Sequence, residues 1–319
     1  MEEQPGNGAP LPDRLRRLTR WRTPSPRWRG VLLLVAGALF IGGAVFSFRE
    51  LDVEPATLVW WPLVVVAVVG TPATIAANAA ELRAMARLTT GGVAPGWLHA
   101  ARVVIVATAA NILPLPGGAL VRVHALRTAG APLGQATSVT LLAALLWVAT
   151  SVGIAGGAAL TFAPVAGVLA LLLGVGGVVA VAVLVRTTTS RWSLRGLAAL
   201  ALVEVVTTVI HGARLWLVLL SLGVAAQVRQ ALVLGAGAPL AAAAGIFPSG
   251  LGLAELLSAL LAPAVALPAA AGFGAAALAR LVGLLSTLPF ALALGVRDLT
   301  PQVEDAGGGD GISSGPPST

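Results

Sequence analysis

Apolar and polar positions along the 319-residue chain fall into long separate blocks. Nearly uninterrupted apolar runs cover residues 31–48, 57–80, 134–160, 164–185, 197–222 and 269–295. Each is close to the ~20 residues an α-helix needs to cross ~30 Å of hydrocarbon. Two further blocks, 98–130 and 231–262, are equally apolar but broken, the first at "LPLPGG" and the second at "FPSGLG". The pattern predicts an all-α, polytopic helical membrane protein with six full spans and two interrupted segments.

Composition agrees: 57% of residues are apolar, 10% are charged and the mean hydropathy is +0.91. Cysteine is absent, which removes disulfides, a thiol nucleophile and thiolate metal ligands. Arg supplies all 20 basic residues and Tyr is missing, a bias that reads as GC-rich coding DNA. The three histidines, His99, His124 and His211, lie on separate segments with no carboxylate spacing suited to a metal, so neither metal nor cofactor is expected. No nucleophile elbow, P-loop or dinucleotide fingerprint occurs, and enzymatic activity is not expected. Glycine runs such as "GIAGG" and "GVGG" fit close helix packing instead.

Charge decides how the broken segments run. Arg14, Arg16, Arg17, Arg20, Arg22, Arg27 and Arg29 precede the first apolar run, and the positive-inside rule places them in the cytoplasm. Such a cluster can also mark a nucleic-acid partner, but no nucleic-acid-binding fold accompanies it, so it reads as an orientation signal beside anionic headgroups. The first run is expected to stay as an uncleaved span. The tails, 1–30 and 298–319, are expected to be disordered. If both broken segments crossed fully, Arg49, Arg122, Arg127, Arg186, Arg191 and Arg195 would all lie outside. If both enter and return as helical hairpins, 16 arginines lie inside, Arg49 and Arg229 lie outside, and Arg214 and Arg280 lie in the membrane. The hairpin layout, with both termini cytoplasmic in a cell membrane, follows. Trp28, Trp60, Trp61, Trp97 and Trp192 then fall at span boundaries, where their amphipathic rings sit well.

A proline inside an apolar helix frees carbonyls that hydrocarbon cannot satisfy, so each break must pack in protein or line a cavity. Gly117 and Gly118 allow close approach of a backbone or a ligand, and a helix starting near Ala119 would point its positive end into the break. The second break repeats the arrangement, with Pro248, Ser249, Gly250 and Gly252 ahead of Glu255 as Pro116, Gly117 and Gly118 precede Arg122. Pro116 and Pro248 are 132 positions apart, in hairpins entering from opposite sides. Broken helices at corresponding places of two inverted halves mark transporters; the plainer reading is two proline kinks.

"NILPLPGGALVRVHAL", the later "FPSGLGLAELL" and an arginine in the last helix, Arg280, together resemble the transmembrane domain of the lysylphosphatidylglycerol synthase family. The likeness runs through most of residues 31–297. It implies a flippase-like domain with facing re-entrant segments that moves a lipid or lipid-linked substrate between leaflets. The positions matching its motifs are Asn111, Pro114, Gly117, Gly118, Arg122, Pro248, Gly250, Gly252 and Glu255. Where the family's first motif often carries an acidic residue, this chain has Gly118 and Ala119. The aminoacyl-transferring domain is not expected, nor is synthase activity.

Ionisable residues inside the runs cost roughly 2.5–3.5 kcal/mol each on insertion scales and call for partners. Glu204, His211 and Arg214 share one helix face at spacings of seven and three. They form either a polar lining or a structural ion-pair network. Arg280 faces Glu255 or a lipid phosphate, and Asn78 and Glu81 are expected to be solvated at the cytoplasmic end of the second span. The resulting expectation is a headgroup site in which Arg122 and Arg280 meet phosphate, with membrane lipids as partners. The alternative is a non-transporting scaffold for a lipid-modifying enzyme or glycosyltransferase.

Overall fold

In a computed structural model of the chain, the described residues are 26–54, 56–110, 117–188, 193–244 and 250–293. They are helices joined by short connections, with no strand among them. Six helical stretches are long and apolar enough to cross a membrane, which makes the chain a polytopic integral membrane protein. They are α1 (Pro26–Glu50); α2 (Trp60–Val65), running through a π-helical turn (Val66–Gly70) into α3 (Thr71–Thr89); α6 (Leu133–Ala159); α7 (Pro164–Thr188); α8 (Leu194–Ser221); and α12 (Ala269–Ala293).

The two broken runs fold as hairpins. The first pairs α4 (Trp97–Ala110) with α5 (Gly117–Thr128). At about 1.5 Å per residue neither arm reaches across ~30 Å of hydrocarbon. The arms are antiparallel: Gly117 abuts the Ala110 carbonyl near the tip, while His99 of α4 and Ala125, Leu126 and Thr128 at the end of α5 line one pocket at the open end. The second hairpin has α9 (Val228–Gly235) and α10 (Gly237–Ala244) as one arm, and α11 (Leu253–Leu261) with the 3-10 turn Pro263–Val265 as the other. Gln230 Nε2 donates to the Val265 carbonyl at 2.7 Å at its open end, Ser258 Oγ donates to the Leu234 carbonyl at 3.1 Å midway, and Gly250 lies against Ala241 toward the tip.

Connectivity puts the hairpins at opposite ends of the bundle. Leu88, late in α3, packs on Gly196, early in α8, at the end where the first hairpin opens. At the other end, where the second opens, the Val59 amide donates to the Ser221 carbonyl at 3.1 Å. The order span, span, hairpin, span therefore occurs twice with reversed direction, the inverted arrangement that the sequence predicts.

Each hairpin has its own apolar core. Around the first, Leu82, Met85, Val104, Leu126, Val139 and Leu200 are buried together; around the second, Leu63, Val66, Leu215, Leu219, Leu234 and Ala275. Helix α8 contributes Leu197 and Leu200 to one core and Leu215, Val218 and Leu219 to the other. α6 and α7 meet backbone to backbone, because Gly156 lies against Gly167 and Ala170–Leu171, and Gly153 against Gly174. Only glycine permits that approach, so these runs do serve helix packing. The outward face of α7 carries exposed Val165, Leu169, Leu172, Leu173 and Val183, as a lipid-facing helix should. Trp60, Trp61 and Trp97 are exposed at helix starts, and the Arg83 guanidinium stacks 4.6 Å from the Trp97 ring centre while donating to the Pro95 carbonyl at 2.5 Å.

Candidate functional site: a polar seam between the hairpins

Between the two cores, α3 and α8 carry polar residues on facing sides. On α3 these are Thr71, Thr74, Asn78 and Glu81, at spacings of three, four and three that keep them on one face. On α8 they are Glu204, His211 and Arg214. The helices pack antiparallel, so Glu81 meets Glu204 at one end of the seam and Thr74 meets Arg214 at the other.

The first cluster lies beside the first hairpin. Arg122, on α5, donates from Nη1 to Glu81 Oε1 and from Nη2 to Asn78 Oδ1, both at 2.8 Å. Asn78 Nδ2 in turn donates to the Thr74 carbonyl at 2.9 Å, which fixes the amide's orientation. Glu204 sits against Glu81 and within electrostatic reach of Arg122, and its buried Oε1 has no hydrogen-bond partner. Glu81 is 6% exposed and Glu204 2%, so two carboxyl groups share one guanidinium out of water.

The second cluster lies beside the second hairpin, one helical stretch away: ten residues of α8 separate Glu204 from Arg214, about 15 Å of rise. Arg280 Nε, on α12, donates to Glu255 Oε1 at 2.6 Å. Glu255, on α11, is fully buried, and its Oε2 has no hydrogen-bond partner. Arg214 Nη1 donates to Thr74 Oγ1 at 3.0 Å, and that hydroxyl donates to the Gly70 carbonyl at 2.8 Å. The Val66 carbonyl, which accepts the Thr71 amide in the π-helical turn, also accepts from Thr71 Oγ1 at 3.2 Å, and Thr71 shares a 2.7 Å hydrogen bond with Ser286 of α12. His211 lies within electrostatic reach of both Arg214 and Arg280.

The geometry sorts the residues singled out from the sequence. Arg280 faces Glu255, one of its two expected partners. Arg122 meets Glu81 rather than solvent, so Asn78 and Glu81 are not headgroup-solvated residues at a helix end: they are members of a buried ion-pair network. The correction has a simple cause, since α3 extends to Thr89 and leaves Glu81 two turns inside the helix. Glu204, His211 and Arg214, read as a polar lining or as a structural network holding helices together, form no ion pair with one another among the described residues. Glu204, His211 and Arg214 do share a face, but Glu204 turns to Glu81 and Arg214 to Thr74. α5 begins at Gly117, not near Ala119, because the tight approach to Ala110 lets the helix start directly at the hairpin tip. Gly117, Gly250 and Gly252 are explained by the chain's own backbone. A Cβ on Gly117 would strike the Ala110 carbonyl; Gly250 (φ +66°) and Gly252 (φ +78°) adopt left-handed conformations, and Gly252 lies against α1 at Ala36. Gly118 is buried in the first turn of α5. Asn111, Pro114 and Pro248 lie outside the described residues, as do 1–25 and 298–319, whereas residues 26–30 of the first tail, expected to be disordered, form the start of α1. Thr71, Thr74 and Ser286 were not singled out from the sequence, although the spacing of Thr71 and Thr74 with Asn78 and Glu81 was there to be read.

Chemically, the seam can hold a charged or zwitterionic group by exchanging internal ion pairs for external ones, without opening a lipid-facing break. No protein-family model matches this chain, and no curated protein matches it.

Proposed function

We propose that the chain moves the polar headgroup of a lipid or lipid-linked intermediate along this seam, from one leaflet of the cell membrane to the other, while the hydrocarbon tails stay in the bilayer. The observation that carries the reading is the row of six formally charged side chains, Arg122, Glu81, Glu204, Arg214, Arg280 and Glu255, held between two hairpins that enter from opposite ends. Buried ion pairs replaced by well-packed apolar residues are often neutral or gain stability, so stability alone is a poor reason to keep such a row in a bilayer. A headgroup crossing hydrocarbon needs such partners at every depth. The resemblance to the lysylphosphatidylglycerol synthase transmembrane domain points to the same substrate class, and the arginine distribution favours a cytoplasmic first hairpin and cytoplasmic termini.

The test uses purified full-length protein in vesicles carrying fluorescent phospholipid, aminoacylated phospholipid or polyprenyl phosphate in one leaflet. Wild type should accelerate exchange of at least one of these lipids, and Arg122→Gln combined with Glu81→Gln, which keeps the seam neutral, should slow it at least tenfold. Folded protein that moves none of the three removes the transport reading and leaves a scaffold for a lipid-modifying enzyme or glycosyltransferase.

A further inference from the structure

Arg122, Arg214 and Arg280 look equivalent in the sequence, but the structure separates them. Arg122 has Glu81, and Arg280 has Glu255. Arg214 has no carboxylate among the described residues, and its hydrogen bond there is the one from Nη1 to Thr74 Oγ1. Its Nε is buried with no partner. Nε–H and Nη2–H form the side-on edge of a guanidinium, the pair of parallel donors that grips a carboxylate or phosphate in two-pronged fashion. In Arg214 that edge points away from Thr74.

The surroundings keep this edge clear. A Cβ on Gly283 of α12 would come within 2.8 Å of Nη2, and one on Gly70, at the end of the π-helical turn, within 3.4 Å of Nε. Both flanking positions are glycine. The hydroxyl pair Thr71–Ser286 lies one residue from Gly70 and one turn from Gly283, its protons shared between the two oxygens and the Val66 and Val282 carbonyls. Glu204, the other carboxyl group on α8, is about 15 Å along the helix. The charged neighbour on α12 is Arg280, which Glu255 already holds, and His211 lies within electrostatic reach of both arginines.

We infer that Arg214, flanked by Gly70 and Gly283 and backed by the Thr71–Ser286 hydroxyls, is a phosphate subsite in the half of the seam beside the second hairpin. The choice of a lipid phosphate as ligand rests on the headgroup-carrying reading, and the experiment below separates the two because it reads binding without transport.

Full-length protein in neutral detergent is titrated calorimetrically with dioctanoyl phosphatidic acid, with dioctanoylglycerol, which lacks the phosphate, and with inorganic phosphate. Wild type should bind the phosphatidic acid at least tenfold more tightly than the diacylglycerol. Arg214→Gln should abolish that preference, and Arg214→Lys, which keeps the charge but lacks the fork, should reduce it at least threefold. Arg186→Gln, at the exposed end of α7, should leave it unchanged. Competition by inorganic phosphate identifies a free-phosphate site, and its failure to compete identifies a site that needs the lipid; both sustain the subsite. Equal affinity for phosphatidic acid in wild type and Arg214→Gln, with helicity preserved, overturns it, and so does a wild type indifferent to the phosphate. Should Arg214→Gln not fold, unchanged binding by Arg214→Lys overturns it as well. A subsite that binds while vesicles show no lipid exchange would sink the transport reading alone.

Discussion

The two ends of the seam are built from the same residue types in opposite proportion. Beside the first hairpin, Glu81 and Glu204 face one guanidinium, Arg122; beside the second, Glu255 holds Arg280, and Arg214 has Thr74 but no carboxylate among the described residues. Formal charges cancel over the seam but not within either cluster. The guanidiniums are equally exposed, 23% for Arg122 and 22% for Arg280, and both acids are buried; what sets the first pair apart is Asn78, a second partner for its arginine. A surplus carboxyl group can be neutralised by taking up one proton, whereas a guanidinium does not give one up in proteins, so the surplus at the second cluster must be met by a ligand or by solvent. The comparison teaches that deleting an acid should have opposite consequences at the two ends.

Placement of the hairpins has the largest expected effect, since it is all or none. In a chain free of native thiols, Thr128→Cys at the mouth of the first hairpin and Ala225→Cys before the second, both exposed in the fold, should label from opposite faces of sealed vesicles. Labelling of both from one face would break the inverted arrangement and with it the comparison.

Deletion of acids comes next. Glu255→Gln strands Arg280 beside Arg214 with no carboxylate near either, and removal of one partner of a buried pair costs about 3–5 kcal/mol. Glu204→Gln takes away a carboxylate that has no cation of its own, so the change in stability should stay within about 1 kcal/mol and can be a gain. Both are read as unfolding midpoints in detergent followed by tryptophan fluorescence. Equal losses for the two variants would mean that the clusters are not unbalanced in the way the contacts indicate.

Much of this architecture was legible in the sequence, for a physical reason: hydrocarbon leaves a run of apolar residues little choice but helix. The runs 134–160 and 164–185 match α6 (Leu133–Ala159) and α7 (Pro164–Thr188) closely. The hairpins were readable from proline and glycine together with Arg122, Arg127, Arg186, Arg191 and Arg195, which a full crossing would have put outside. The second span was read as stopping at 80, where Glu81, Arg83 and Arg87 enter, but the helix runs on to Thr89 because Glu81 finds Arg122 and Arg83 finds Trp97 and the Pro95 carbonyl. Those partners come from a later hairpin and a loop, and no local pattern announces them. The same limit hid the separation of Arg214 from Glu204. Helical spacing gives a shared face but not which neighbouring helix serves each end of it, and here α3 serves both, with Glu81 at one end and Thr74 at the other.

The smallest effect sharpens the comparison by asking how wet the first cluster is. Asn78→Ala removes the acceptor of Arg122 Nη2 but leaves the Nη1 bond to Glu81 intact. A hydrogen bond to a charged group contributes about 1.5–3 kcal/mol when nothing replaces it, whereas a bridging water replaces most of it at an entropic cost of about 0–2 kcal/mol. Arg122 is the partly exposed member of its pair, and the Thr74 carbonyl released by the lost Nδ2 donor lies beside it, so a water placed there has at least two polar partners. The expected loss is therefore about 1 kcal/mol, seen as a small drop in the detergent unfolding midpoint. A loss above about 3 kcal/mol would show that no water replaces Asn78 at Arg122, and that the two ends of the seam differ in charge alone.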